Sequence, residues 1–111
     1  MARLKRGEIY LVSPSPAKDP KRRRAFVIVS RQTLCDSPAD RLVCAPVNSR
    51  DEGLSTEVRV GVDEGLKHAS VINCDQLLLL PKAALSNYVG VLSDLKLRQL
   101  RAALRVALAV E

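Results

Sequence analysis

The chain has 111 residues, 47% of them apolar, which suffices for one sizeable hydrophobic core but not for two ordinary domains, so we expect a single domain over residues 1–111. No apolar run approaches the roughly 20 residues of a membrane-spanning helix, and no signal-peptide region follows the N-terminus, so we expect a cytoplasmic protein without a membrane partner. The net charge of +6 arises within residues 1–24 alone, which favours a polyanionic partner over an uncharged one.

The first half of the chain alternates apolar segments with turn residues at short intervals, which predicts a β core. Gly7–Val12 indicates a first strand. Residues 13–24 contain three prolines and no apolar periodicity, and indicate an exposed basic loop that either contacts phosphates or only improves solubility. Ala25–Ser30 and Leu42–Val47 are nearly continuous apolar runs, typical of central strands buried on both faces.

Further strands are indicated after residue 54. Ser55–Val60 alternates apolar and polar residues, as in a half-exposed strand, and Gly61 and Gly65 bound the turn that follows. Three more strand candidates come next, although the leucines of the second also suit a helix: Ser70–Asn73, Gln76–Leu80 and Tyr88–Leu92.

The C-terminus changes to a helical period. Apolar residues recur every three or four positions, and Ser93 is a suitable N-cap, so we predict one amphipathic helix that closes the fold. We interpret the basic stripe on its opposite face as a solvated surface rather than an RNA track. The apolar face comprises Leu97, Leu100, Leu104 and Ala107/Leu108, and the stripe comprises Arg98, Arg101 and Arg105.

The cysteines and the single histidine argue against a metal centre. Cys35, Cys44 and Cys74 have no CxxC spacing, and two of them lie in apolar stretches, so we expect buried, reduced thiols in a reducing compartment. With His68 as the only histidine, a zinc site has few ligands available, and we expect neither a metal nor another cofactor. An imidazole suits acid/base work near neutral pH, but beside Lys67 we predict that His68 is a surface residue of a turn.

The segments of the chain follow a characteristic order: RGEIYLV, a basic loop with prolines, RAFVIVS, LVCAPVNS, a strand, ASVINCDQL, VGVLSD and RAALRVAL. Over nearly the whole chain, this order resembles that of the MazF/PemK toxin family. The most specific features are an Arg directly before an apolar strand that ends in Ser, a P-[VL]-x-S strand exit, and Asp75-Gln76 after a short strand. The resemblance implies a mainly β fold with a C-terminal helix, namely the twisted SH3-like barrel that the family shares with the gyrase-poisoning CcdB toxins.

The resemblance also implies a function. Family members act as homodimers that bind single-stranded RNA across the two-fold interface and cut it at short motifs, without a metal, to leave 2′,3′-cyclic phosphate and 5′-hydroxyl ends. They inhibit growth until a cognate MazE-like antitoxin binds through its C-terminal segment, which we expect to be acidic with scattered apolar anchors.

Four residues are the candidates for the chemistry. Arg24 matches the family's catalytic Arg and is expected to stabilise charge and donate a proton. Asn48 stands where the family usually has Thr, and Ser49 beside it offers a hydroxyl. Asp19 is the only acidic residue of the loop in which many members have Glu, and it is a candidate either for a base or for a partner that orients Arg24. The residues expected to bind RNA are Lys18, Lys21, Arg22, Arg23, Arg50, Asp75 and Gln76.

The departure at Asn48 leaves alternatives open. One is a relative that binds RNA or antitoxin without cutting. Another is a CcdB-like poison of DNA gyrase, but such poisons depend on C-terminal residues that commonly include Trp, and this chain contains none.

Overall fold

A computed structural model describes residues 3–13 and 23–110, and the structural statements below concern those residues. They contain seven strands: β1 (Glu8–Val12), β2 (Arg24–Ile28), β3 (Arg41–Asn48), β4 (Glu57–Val60), β5 (Ser70–Asn73), β6 (Leu78–Pro81) and β7 (Asn87–Val91). The helical elements are α1 (Gln32–Cys35), α2 (Asp94–Ala107) and two 3-10 helices, Val62–Glu64 and Lys82–Ala84. No helix in this part of the chain is both long enough and apolar enough to cross a membrane.

The strands form one antiparallel sheet in the order β4-β5-β3-β2-β1-β7, with β6 as an additional partner of β3. β3 is the longest strand, with eight residues. Its first half pairs with β6 and its last two residues pair with β5, while β2 lies along its other side. The predicted central position of β2 and β3 is therefore confirmed, and so is the mainly β fold with a C-terminal helix.

Side chains of the central strands enter two separate cores, because successive residues of a strand point to opposite faces. Ile9, Val27 and Ala45 belong to the core beneath α2, to which the helix contributes Leu100. The second core, on the other face, contains Tyr10, Val12, Phe26, Ile28, Leu42 and Cys44.

Helix α2 begins where the sequence predicts. The Ser93 hydroxyl accepts a hydrogen bond from the Lys96 backbone N–H at 3.2 Å, which confirms the N-cap. Leu100 and Ala103 are buried against the sheet. Leu108 was wrongly assigned to the apolar face, because it lies just beyond the last helical residue and is 57% exposed. The predicted basic stripe is exposed, as expected.

Most strand boundaries differ from the predictions by one or two residues, and some short helical elements were not predicted. Arg24 is the first residue of β2 rather than the last of the loop, most of which lies outside the described residues. β6 begins at Leu78 because Asp75 and Gln76 lie in the turn before it. Helix α1 and the 3-10 helices were not predicted, since three or four residues are too few to show a helical period.

Candidate functional site

A groove of about 850 Å³ opens where β2 begins and β3 ends. Its walls come from these two strands, from the chain that follows β3, and from the segment that leads into β5. Four cationic side chains line it against two carboxylates, so it carries a net positive charge. The lining residues are Arg23, Arg24, Ala25, Val47, Asn48, Ser49, Arg50, Glu52, Glu57, Leu66, Lys67, His68, Ser70, Asn73 and Gln76.

Arg24 and Asn48 meet directly in this groove. The pairing of Phe26 with Pro46 continues along β2 and β3 and places residue 24 opposite residue 48, so the two side chains share one face of the sheet. The Arg24 guanidinium donates a hydrogen bond from Nη2 to Oδ1 of Asn48 at 2.7 Å. It also lies near the Phe26 ring, with the guanidinium carbon 5.9 Å from the ring centroid. These two contacts orient the guanidinium. Because Arg24 is exposed, the group also remains accessible.

The chain after β3 supplies the next two predicted residues. Ser49 and Arg50 are exposed and line the groove beside Asn48. Arg50 forms an ion pair with Glu52, with Nε 3.6 Å from the carboxylate. The structure therefore brings six of the predicted site residues to one groove, namely Arg23, Arg24, Asn48, Ser49, Arg50 and Gln76.

The two carboxylates of the groove have structural partners. Oε1 of Glu57 accepts hydrogen bonds from the backbone N–H groups of Glu52, at 3.2 Å, and Leu54, at 2.9 Å. This carboxylate fixes the loop between β3 and β4. Glu52 is the ion-pair partner of Arg50.

Asp75 and Gln76 separate from each other in the turn after β5. Gln76 lines the groove, whereas Asp75 is not among the lining residues. Instead, Oδ2 of Asp75 accepts a hydrogen bond from the hydroxyl of Thr56 at 2.7 Å. Since Thr56 is buried, this carboxylate satisfies a polar group that would otherwise be costly to bury. Lys18, Asp19, Lys21 and Arg22 lie outside the described residues.

His68 was expected to be only a surface residue, yet it lines the groove. Its side chain is exposed, as predicted, but the pairing of Asn48 with Val71 draws the segment before β5 alongside the end of β3. This non-local strand pairing leaves no local signal in the sequence. The carboxylate of buried Glu64 accepts a hydrogen bond from the Gly61 N–H at 2.7 Å and fixes the start of this segment.

A backbone contact also anchors the segment that carries His68. Gly65 has a φ of +91°, and a Cβ there would overlap the carbonyl oxygen of Val89 in β7. A Cβ on Gly90 would likewise overlap the carbonyl oxygen of Glu64. Only residues without a side chain permit this close approach of the 3-10 helix Val62–Glu64 to β7.

A second, mainly apolar depression adjoins the groove, and Arg23 and Arg24 line both. Its volume is also about 850 Å³, and most of its lining is aliphatic or aromatic. Beside it, Leu78 and Leu79 of β6 are 36% and 57% exposed. The lining residues are Leu11, Val12, Ser13, Arg23, Arg24, Phe26, Leu78, Leu80, Pro81, Ala83, Ala84, Ser86 and Asn87.

The three cysteines are free thiols and all are buried, as predicted. Burial raises the pKa of Cys44 to about 12 and that of Cys74 to about 11, so both remain neutral near pH 7 and are poor nucleophiles. Among the residues that the structure describes, no group of three or more His, Cys, Asp or Glu is placed to hold a metal ion.

The chain is similar to known proteins both in sequence and in structure. Residues 5–108 match the model of a family described as PemK-like, MazF-like toxin of type II toxin-antitoxin system. The toxin MazF-mt6 of Mycobacterium tuberculosis superposes with a TM-score of 0.79 at 24% identity, over 94% of this chain and 98% of that one. A comparison of the sequence with curated proteins found no match.

Two further solved structures are complexes. An endoribonuclease in complex with its cognate antitoxin, from a mycobacterial species, has a TM-score of 0.79 at 21% identity, over 96% of this chain and 95% of that one. The MazE-MazF complex of Deinococcus radiodurans (Form-II) has a TM-score of 0.77 at 18% identity, over the whole of both chains. These likenesses confirm the predicted fold class, a mainly β barrel of the MazF type with a C-terminal helix.

Proposed function

Because the chain belongs to the PemK-like, MazF-like toxins of type II toxin–antitoxin systems, we propose that it is an endoribonuclease that cuts single-stranded RNA without a metal. It cleaves at a short sequence motif, leaves 2′,3′-cyclic phosphate and 5′-hydroxyl ends, and thereby inhibits translation and growth. The observation that supports this most directly is the hydrogen bond between Arg24 and Asn48 inside a cationic groove.

The groove suits the backbone of RNA. Arg23, Arg24, Arg50 and Lys67 contribute positive charge, and the groove is open enough for an extended strand. No Phe, Tyr or Trp among the residues that the structure describes lines it, so binding depends on phosphate contacts more than on base stacking, and affinity falls steeply as salt rises.

Cleavage requires attack of the ribose 2′-oxygen on the adjacent phosphorus, with negative charge developing on the phosphoryl oxygens. Arg24 presents a planar fork of donors to these oxygens, and a guanidinium remains charged throughout. Dependence on the 2′-hydroxyl restricts the reaction to RNA.

Asn48 assists by orienting Arg24 and by donating hydrogen bonds of its own. Its Oδ1 is occupied by Arg24, which leaves the amide NH₂ group free to face a phosphoryl oxygen. The amide thus replaces the hydroxyl donor of the family's usual Thr but cannot act as a base. Ser49 contributes an adjacent hydroxyl.

We further propose that two copies associate through the apolar face beside Arg24, so that the two grooves form one RNA track. Leu78 of β6, which is 36% exposed and lines the apolar depression, supports this, because water-exposed apolar surface is stabilised by burial against a second copy. Light scattering of the purified protein, with Leu78→Lys as the variant, tests the dimer.

The antitoxin is proposed to be a MazE-like protein whose acidic C-terminal segment occupies the cationic groove. The family membership and the antitoxin complexes of similar structures support this partner. A synthetic peptide of that segment should compete with RNA. Simultaneous binding of both would contradict a shared groove. The buried free thiols agree with action in the reducing cytosol.

The experiment incubates the purified, antitoxin-free protein with a long, weakly structured RNA in EDTA and maps the 5′ ends of the products. We expect cuts at one short motif, with 5′-hydroxyl ends, that are lost in Arg24→Ala. Arg101→Gln on the exposed face of α2 is the matched control, since it also removes one positive charge but lies away from the groove.

The replacement of Thr by Asn48 favours one second candidate, a relative that binds RNA without cutting it. Folded protein that binds RNA in a salt-dependent manner but leaves it intact would establish that alternative and overturn the nuclease.

A further inference from the structure

The proposed reaction lacks one component among the residues assigned so far, namely a group that takes the proton of the 2′-hydroxyl. A guanidinium is always protonated, and neither an amide nor a serine hydroxyl is a base at neutral pH. Arg24, Asn48 and Ser49 can therefore donate hydrogen bonds but cannot accept this proton. Asp19, the acidic residue that the sequence suggested for this purpose, lies outside the described residues.

The carboxylates of the groove are committed elsewhere. Glu57 holds two backbone N–H groups of the loop after β3, and Glu52 is paired with Arg50. To take a proton from RNA, Glu57 would have to give up the contacts that fix the loop after β3, and Glu52 would have to leave its ion pair with Arg50.

His68 differs from these carboxylates, because no described residue holds its side chain. It lines the same groove as Arg24 and Asn48, its side chain is exposed, and its imidazole makes no hydrogen bond to any residue that the structure describes. Its backbone carbonyl accepts a hydrogen bond from the Ser70 hydroxyl at 3.1 Å, which fixes the main chain and leaves the ring free. Imidazole is the side-chain group best suited to exchanging a proton near neutral pH.

Resting on the function proposed above, we infer that His68 is the general base of the cleavage reaction. A ring nitrogen of the neutral imidazole takes the 2′-hydroxyl proton as the bond from the 2′-oxygen to phosphorus forms. The bond from phosphorus to the 5′-oxygen then breaks, and that oxygen takes a proton from water, while the guanidinium of Arg24 stays charged throughout. The imidazolium returns its proton to solvent, so that the enzyme is restored.

Several charged side chains share the groove with His68, and a change in any of them alters the charge that the RNA meets. They are the cations Arg23, Arg24, Arg50 and Lys67 and the carboxylates Glu52 and Glu57. Variants of these residues are therefore unsuitable as controls, and Arg101→Gln serves again.

The test measures single-turnover cleavage of RNA between pH 5 and 9 by the wild type, His68→Gln and Arg101→Gln. Glutamine keeps a similar size and polarity but cannot take up a proton. We expect the wild-type and control rates to rise with pH and level off, and the His68→Gln rate to be about 10²- to 10⁴-fold lower without that rise. Binding of non-cleavable 2′-O-methyl RNA should be unchanged by His68→Gln, and added imidazole should accelerate His68→Gly.

The possible results are distinguishable. A His68→Gln protein with the wild-type rate and pH profile overturns this inference while the nuclease stands. Loss of RNA binding in parallel with the rate assigns His68 to binding and also overturns the base role. Wild-type protein that leaves RNA intact overturns the proposed function and the base role with it.

Discussion

Replacing Asn48 by Asp tests whether the guanidinium of Arg24 must be available to a phosphate. The substitution keeps the shape of the side chain but places a negative charge where Oδ1 now lies 2.7 Å from Nη2. For charge centres about 4 Å apart, the added attraction is about 1 kcal/mol in bulk water and about 4 kcal/mol near a protein surface. Because about 1.4 kcal/mol corresponds to a factor of ten and Arg24 is exposed, we expect cleavage to slow by about 10- to 100-fold.

The assay is single-turnover cleavage in EDTA, combined with binding of 2′-O-methyl RNA at low and high salt. Asn48→Leu is the matched control, because it removes the acceptor of Arg24 without adding charge. The Asp variant should be the more impaired of the two, and the gap between them should narrow as salt screens the added charge. Equal activity of the Asp variant and the wild type would refute the reasoning, as would an equal loss in both variants.

Two further predictions concern stability. Leu100 of α2 is fully buried against the sheet, so Leu100→Ala should lower the free energy of unfolding by about 2–5 kcal/mol, measured as a reduced urea midpoint with an unchanged slope. Burial, with a hydrogen bond from the hydroxyl of Tyr10 to Glu8, raises the pKa of Tyr10 to about 12, compared with an ordinary value of 10.0. The folded state therefore holds the phenolic proton of Tyr10 more tightly than the unfolded state does. The stability that results is fully present below pH 10 and is lost as the pH rises from 10 to 12. Wild-type protein should therefore lose more stability than Tyr10→Phe over that interval, and parallel losses would contradict the assignment.

The strands and the helix were predictable because their signals are local. Continuous apolar runs identified β2 and β3, and alternation identified β4, in which Val58 is buried and Arg59 exposed. Leu108 was misassigned because the helix ends one residue earlier, at Ala107, and a three-and-four spacing does not show where a helix stops.

The candidate site was predictable only in part. Arg24 and Asn48 were found through the resemblance, and the register of β2 and β3 explains why they meet. His68 was set aside as a surface residue, because its position in the groove depends on the pairing of β5 with the end of β3, and that pairing leaves no periodic trace near residue 68. Asp75 and Gln76 are adjacent in the sequence, but the turn directs them to different partners.

The pairing of β3 with three other strands has a consequence for how the molecule opens. Cys44 and Ala45, adjacent in this strand, belong to the two different cores, and the strand cannot detach without exposing both. We therefore expect the two cores to melt in a single transition, with the slowest amide hydrogen exchange in the middle of β3. Since the same strand ends at Asn48, the groove is attached to the part of the fold that we expect to open last, so its shape is set before any ligand binds.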